Sequence, residues 1–209
     1  MSERAPQDQP RRRERLAEDK RREQIIRATV DVVAERGYGY ASLANIAEAA
    51  GVSKGLLSHY FGNKDELMLT TARVTLTDLR HMIAAELDLS APVPAVIRSA
   101  LRRAARLGQT HAPQFRALVA ITHNLREPDG STRLTLADYE DTYQAEESLL
   151  RRGQREGTLR SFDVRVMAVT YQGAIDAMLA YLDEHPEIDP REYADRLADL
   201  LLSGITRTR

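Results

Sequence analysis

Apolar residues recur along this chain at intervals of three and four, never in a sustained alternation of two, and that period commits it to helices. Without a credible strand there is no sheet, so the core must be built by packing one helix stripe against another. Glycine, proline and capping residues divide the pattern. A first helix runs from about Arg21 to Arg36, with Ile25, Ile26, Val32 and Val33 on one side and Gly37 as its stop. Ser42 caps a short helix over Leu43 to Ala50, Gly51 breaks it, and Ser53 caps another through Tyr60. Asn63 with Glu66 reads as a capping box that opens a long helix to about Leu87. Pro92 and Pro94 introduce a helix to Leu107, Ala112-Pro113 one that ends near Glu127–Gly130, and Ser131 one to Glu156. Asp163 starts a helix that ends at His185-Pro186, and Asp189-Pro190 starts the last, to about Ser203. The expected fold is all-α, about nine helices, with three short ones forming a head on a larger helical body.

The 209 residues carry 30 Lys+Arg against 31 Asp+Glu, which looks unfavourable for a nucleic-acid partner. The distribution says otherwise. Residues 1–64 hold 12 basic and 9 acidic side chains, and the remainder holds 18 and 22. A mildly basic head therefore precedes an acidic body. Arg11, Arg12, Arg13, Arg15, Lys20, Arg21 and Arg22 crowd near the start, and we divide the chain into a basic flexible arm over 1–20, a head over 21–64 and a body over 65–209. The absence of cysteine excludes disulfides, thiolate zinc sites and cysteine nucleophiles. No apolar run approaches the roughly 20 residues that span a bilayer, and the charged N-terminus is unlike a signal peptide, so the expectation is a cytoplasmic protein with no membrane partner.

Ser42 to Phe61 is the informative segment. Leu43, Ile46, Ala47 and Ala50 form an inner face, Gly51 sits where the turn needs positive φ, and Val52 and Leu57 continue the inner face on the next helix. This is helix-turn-helix spacing, whose second helix enters a major groove. The outward residues of that helix are Lys54, Gly55, Leu56, Ser58 and His59. Over residues 25–69 the sequence resembles the DNA-binding region of the TetR family of transcriptional regulators: Gly37-Tyr38, Ser42-Leu43, Ile46-Ala47, Ala50-Gly51-Val52-Ser53, Lys54-Gly55, Leu57, Tyr60-Phe61 and Asn63-Lys64-Asp65-Glu66-Leu67 fall in order. The resemblance implies a double-stranded operator as partner. It places Ser42 and Ser53 at helix starts near phosphate, Lys54 and Gly55 against base edges, His59 and Tyr60 on the sugar–phosphate backbone, and Lys64 on a phosphate. Ser58 departs from the family's usual Tyr, which changes what can be read at that base step. Gly157-Thr158-Leu159-Arg160 and Asp163 resemble the branch that includes the choline-responsive repressor.

The helix after Asp163 carries two apolar stripes, one with Val164, Met167, Tyr171, Ile175, Met178 and Leu182, the other with Val166, Val169, Gly173 and Ala177. A helix apolar on two sides buries one in its own core and one elsewhere. With the last helix, the resemblance makes this a homodimer interface, assigned to Met167, Tyr171, Gly173, Ile175, Met178, Leu197 and Leu201. It also implies a small-molecule effector pocket in the body, with His111, Phe115, His123, Tyr139, Tyr143 and Gln172 as candidates. The histidines lack metal-ligand spacing, and no catalytic constellation or cofactor motif is present, so neither a metal, a cofactor nor an enzyme is expected. The reading is a ligand-responsive homodimeric repressor of a palindromic operator. The alternatives are a helical enzyme with an incidental helix-turn-helix and an architectural DNA binder without an effector.

Overall fold

The computed structural model describes residues 9–206, with side chains from Arg15 onward. Among these residues it has nine α-helices and one short 3-10 turn: α1 (Gln9–Arg36), α2 (Leu43–Ala49), α3 (Lys54–Phe61), α4 (Lys64–Ala84), α5 (Val93–Thr110), α6 (Ala112–Asn124), the 3-10 turn (Leu136–Tyr139), α7 (Glu140–Arg155), α8 (Val164–Glu184) and α9 (Pro190–Ile205). The described part of the chain is all-α, and none of its helices is long and apolar enough to cross a membrane.

The caps explain most boundaries. Ser42 Oγ accepts from the Asn45 amide and Ser53 Oγ from the Leu56 amide, so two short helices begin where the hydroxyls satisfy otherwise unpaired donors. Asn63 Oδ1 accepts from the Glu66 amide at 2.9 Å and opens α4. The Glu66 carboxylate does not close a capping box; it takes a 2.7 Å ion pair from Arg133 instead. Asp163 and Asp189 cap α8 and α9, each accepting two backbone amides.

Two expected boundaries move. The first helix starts at Gln9 rather than Arg21, so described residues that were assigned to a flexible arm are helical; residues 1–8 and the side chains of Arg11, Arg12 and Arg13 lie outside the described residues. The segment from Ser131 is not helical. Glu127 to Ser131 close a turn, Arg126 and Thr132 pair as an isolated bridge, and Thr135 with Asp138 forms a capping box on the 3-10 turn, so α7 begins only at Glu140. Apolar spacing could not show this, because Asp129 and Asp138 act by bonding backbone locally.

The chain divides into two compact units, residues 1–72 with 116–133, and residues 73–115 with 134–209. In the first, α2 packs against α1 and α3, and Ile25, Val33, Ile46, Leu57, Phe61 and Leu67 are buried. In the second, α5 is the central helix. It packs against α7, α8 and α9, with Val93, Ile97, Leu101, Tyr171, Ile175, Met178, Ala198 and Leu202 in one buried cluster. The α7–α8 connection is stapled to the end of α9, where the Arg160 amide donates to Ile205 O at 2.9 Å.

At Gly153, α7 packs tightly against its neighbours. A Cβ there would lie 2.6 Å from Leu159 Cδ1 and 3.1 Å from Val93 Cβ. Gly153→Ala is therefore expected to destabilise the body by about 1–3 kcal/mol through overpacking, although alanine is the better helix former. A melting temperature at or above the parent's would show that the leucine and valine side chains yield freely.

Candidate nucleic-acid interface and effector site

The head carries its candidates on α3 and its cap, with Ser42 at the start of α2 and Lys64 at the start of α4. Ser53, Lys54, Gly55 and His59 are exposed, while Ser42, Leu56, Ser58, Tyr60 and Lys64 are half-buried. Ser42 and Ser53 use an oxygen lone pair to cap their helices, which leaves each hydroxyl proton free to donate to a phosphate. The His59 and Tyr60 rings meet edge to face, with centroids 5.7 Å apart. Lys54 occupies the first turn of α3, where backbone donors and the helix dipole also favour an anion.

Gly55 has ample room. A Cβ built there meets only Ser53 Oγ, at 3.9 Å, and the backbone is ordinary helix. Nothing in the fold requires glycine at that position, in contrast to Gly51, whose φ of 63° makes the turn. Gly55→Ala is expected to stabilise the head by up to about 1 kcal/mol. A loss of operator affinity accompanying that rise in melting temperature would identify the glycine as clearance for DNA.

Lys64 is partly committed to the fold. Its Nζ donates to Tyr38 O at 2.9 Å and lies 4.3 Å from the Tyr38 ring centroid, and burial pulls its pKa below the usual lysine range. It fastens the start of α4 to the turn after α1, with two of its three ammonium protons left for other acceptors. Sequence reasoning missed further fasteners of the head: Arg22 donates to Tyr60 O at 3.0 Å and stands over the Phe61 ring, and Gln24 donates to Ala50 O at 2.7 Å. These hold α2 and α3 against α1 through backbone carbonyls, which leave no mark in an apolar pattern.

In the body, the effector candidates separate. His123 is exposed with its ring bonded to Val119 O one turn back, and His111 bonds its neighbour Thr110. Phe115 is half-buried. Tyr139, Tyr143 and Gln172 come together with residues that sequence reasoning did not single out as pocket: Arg80 of α4, Glu146 of α7, and Tyr171 and Asp176 of α8. The Tyr139 and Tyr143 rings stack with centroids 6.1 Å apart, Arg80 lies over Tyr139 at 5.0 Å, and Arg165 lies over Tyr143 at 4.8 Å. Gln172 Nε2 donates to Asp176 Oδ1 at 2.8 Å, and Arg80 donates to Asp138 O at 3.2 Å. Three buried polar atoms here lack a hydrogen-bond partner: Arg80 Nε, Glu146 Oε2 and the Tyr171 hydroxyl. Each such atom costs about 1–3 kcal/mol to bury unpaired, which sets this cluster apart from the apolar core around it. A signal was available in the sequence, because Glu146 falls on the inward spacing of Tyr139, Tyr143 and Leu150, where an apolar residue belongs.

Burial, reinforced by Asp176 and opposed by Arg80, pushes the Glu146 carboxyl up to about 8. Asp176, an exposed residue at the edge of the cluster, is raised by partial desolvation against Gln172 and Arg80, and burial pushes Tyr139 up to about 12. The folded body thus holds a proton on Glu146 that the unfolded chain releases near its ordinary value of 4.5. That preference supports the fold below about pH 4.5 and is lost as pH rises through about 8. Glu146→Gln keeps the neutral shape, so near pH 8 the variant is expected to be more stable than the parent by on the order of 1–2 kcal/mol, with a flatter Tm–pH profile between 5 and 8. Parallel profiles would mean that Glu146 does not hold this proton.

The two stripes of α8 are resolved. Tyr171, Ile175 and Met178, assigned to a dimer interface, are buried in the chain's own core, and Met167, Leu197 and Leu201 pack against it. That stripe meets α5 and α9, so it is spoken for within one chain. The second stripe faces out: Val166 is 64% exposed and Val169 41%, Gly173 has nothing within 4 Å of a built Cβ, and Leu200 of α9 is 73% exposed. Of the assigned interface residues Gly173 is exposed on this outer face, while Met167, Leu197 and Leu201 are half-buried. Among the described residues no group of His, Cys, Asp and Glu could hold a metal ion.

Residues 25–71 match the model of the bacterial regulatory proteins of the tetR family. The chain is 49% identical over 65 residues to the HTH-type transcriptional regulator BetI 2 of Chromohalobacter salexigens, a match that covers 31% of each chain. With the BetI of Stenotrophomonas maltophilia it is 45% identical over 64 residues, 31% of this chain and 33% of the relative. The chain thus spans about a third of the length of these curated relatives, and the likeness does not reach most of the body. A TetR-family regulator of known structure, PfmR from Thermus thermophilus, superposes with a TM-score of 0.68 at 26% identity, covering 88% of this chain and 99% of that one. AibR, solved with isovaleryl coenzyme A and operator DNA, shares the fold with a TM-score of 0.68 at 18% identity, over 87% of this chain and 98% of that one.

Proposed function

We propose that the chain, whose residues 25–71 match the tetR family model, is a TetR-family regulator: a homodimeric, effector-released repressor of a palindromic operator. The observation that carries the reading is the exposed first turn of α3, with Lys54, Gly55 and His59 outward and Ser42 and Ser53 capping with their hydroxyl protons to spare. The head's excess of three basic groups is small. Affinity then rests on a few placed contacts made twice, with two recognition helices about 34 Å apart. The outer stripe of α8 with Leu200 is the surface on which a second copy would sit. The unpaired polar cluster of the body is where an effector would bind, and a ligand that prefers one arrangement of α4 needs only a few kcal/mol of differential affinity to empty the operator. AibR is a precedent for both ligands on this fold.

Selection on random duplex DNA tests the first half, and a palindromic consensus is the expected result. A screen of small molecules for a rise in melting temperature, followed by operator release, tests the second. A regulator that recovers a consensus but responds to no compound class would be the architectural binder instead.

A further inference from the structure

Resting on the effector reading, we propose that the site at Glu146 takes a protonated primary or secondary amine, whose N–H groups fill the unpaired Glu146 Oε2 and Tyr171 hydroxyl. The Tyr171 side chain is only 7% exposed, its hydroxyl has no partner, and the one charged group that acts on it is Glu146. Both atoms are buried, neither has a partner, and Glu146 is close enough to act electrostatically on Tyr171, so a donor with more than one hydrogen could serve both.

The neighbouring charges narrow the class. Two carboxylates, Glu146 and Asp176, face one guanidinium, Arg80. An ammonium balances that set, whereas an anion would meet two like charges. A quaternary ammonium has no N–H to give Glu146 or Tyr171, and the ring faces it would use are already taken, Tyr139 by Arg80 and Tyr143 by Arg165. A neutral alcohol could bond but would leave Glu146 holding its proton.

Uptake then has a proton balance. The protonated Glu146 carboxyl gives its proton to solvent as the ammonium arrives, and the product is a carboxylate–ammonium pair. Between pH 6 and 7 the apparent affinity for an amine is expected to rise about tenfold, because the competing proton is diluted tenfold. The groups that act on Glu146 during this exchange are Arg80 of α4, Tyr143 of α7, and Tyr171 and Asp176 of α8; Tyr139 and Asp141 act on Arg80, Gln172 bonds Asp176, and Arg165 stands over Tyr143.

The test uses the full-length protein with four compounds of one shape: benzylamine, benzyltrimethylammonium, benzyl alcohol and benzoate. Calorimetry in phosphate and in MES at pH 6.5, two buffers of different ionisation enthalpy and neither a primary or secondary amine, counts the protons exchanged. The expected result is that benzylamine binds more tightly than the other three by at least tenfold, with close to one proton released, and that Tyr171→Phe weakens it several-fold. Glu146→Gln, whose own melting transition reports that it folds, is expected to lose both the preference for the amine and the proton release. If benzoate, benzyl alcohol or the quaternary compound binds as well as benzylamine, the amine class is overturned while the effector site stands. If none binds, the amine class is overturned, and the broader screen for operator release decides the effector reading separately.

Discussion

Val169→Asp is expected to turn the protein into a monomer in sedimentation and to weaken operator binding by two orders of magnitude or more, with the melting temperature of the chain little changed. Val169 is 41% exposed on the outer stripe of α8, one turn from Val166 on one side and from Gly173 on the other. A soluble single chain does not usually leave such a run of Val, Val and Gly on one helix, with Leu200 of the adjoining α9 73% exposed, unless another surface covers it. Gly173 fits the same role, since a Cβ there would meet nothing within 4 Å in its own chain. The glycine answers no internal packing need, as Gly153 does, and a second helix could approach it closely. The size of the effect follows from bivalency. When two heads are joined, engagement of the second half-site is intramolecular, and losing the joint forfeits roughly 10²–10⁴ in affinity. A variant that stays dimeric with near-parental affinity would put the interface elsewhere.

That face was half legible in the sequence. The two stripes of α8 were plain from spacing, and so was the inference that only one could enter the chain's own core. Which one was not, because Tyr171, Ile175 and Met178 on one side are no more than larger than Val166, Val169 and Gly173 on the other. The decision belongs to α5, whose Ile97, Leu101 and Ala105 make a surface that accepts the larger side chains. The head was far more legible. Ser42, Ser53 and Asn63 are short-range caps whose partners lie three residues on, and Gly37 and Gly51 sit where φ is positive. The polar cluster was the least legible part. Its members come from α4, α7 and α8, and a buried glutamate looks in sequence like one more charge on a solvated face. The one signal for Glu146 over its neighbour Glu147 is its place on the inward spacing of Tyr143 and Leu150, and which groups of α4 and α8 meet it there is fixed only by tertiary packing.

Lys54→Ala and Lys64→Ala are expected to weaken operator binding for different reasons, and the pair of measurements separates them. Lys54 is exposed at the first turn of α3 and holds nothing in the head together that its removal would release. Its loss should leave the melting temperature in place. If it reaches a guanine edge, operator affinity falls by about 1–3 kcal/mol for each half-site while binding to unrelated duplex changes little. Lys64 is different, because its ammonium bonds Tyr38 O and lies against the Tyr38 ring, and so fixes the α1–α2 turn to the start of α4. Its loss should lower the melting temperature of the head as well as its affinity. With one phosphate per head the salt slope should fall by about two for a dimer, and by the same amount on any sequence. Lys64→Arg is the deciding variant. A planar guanidinium keeps the charge for a phosphate but cannot place a compact ammonium between the Tyr38 carbonyl and ring. Recovery of the salt slope without recovery of the melting temperature would show one lysine doing two separable things. Recovery of both would mean that the Tyr38 contact follows charge alone, and a slope that Lys64→Ala never lowered would remove Lys64 from the DNA surface.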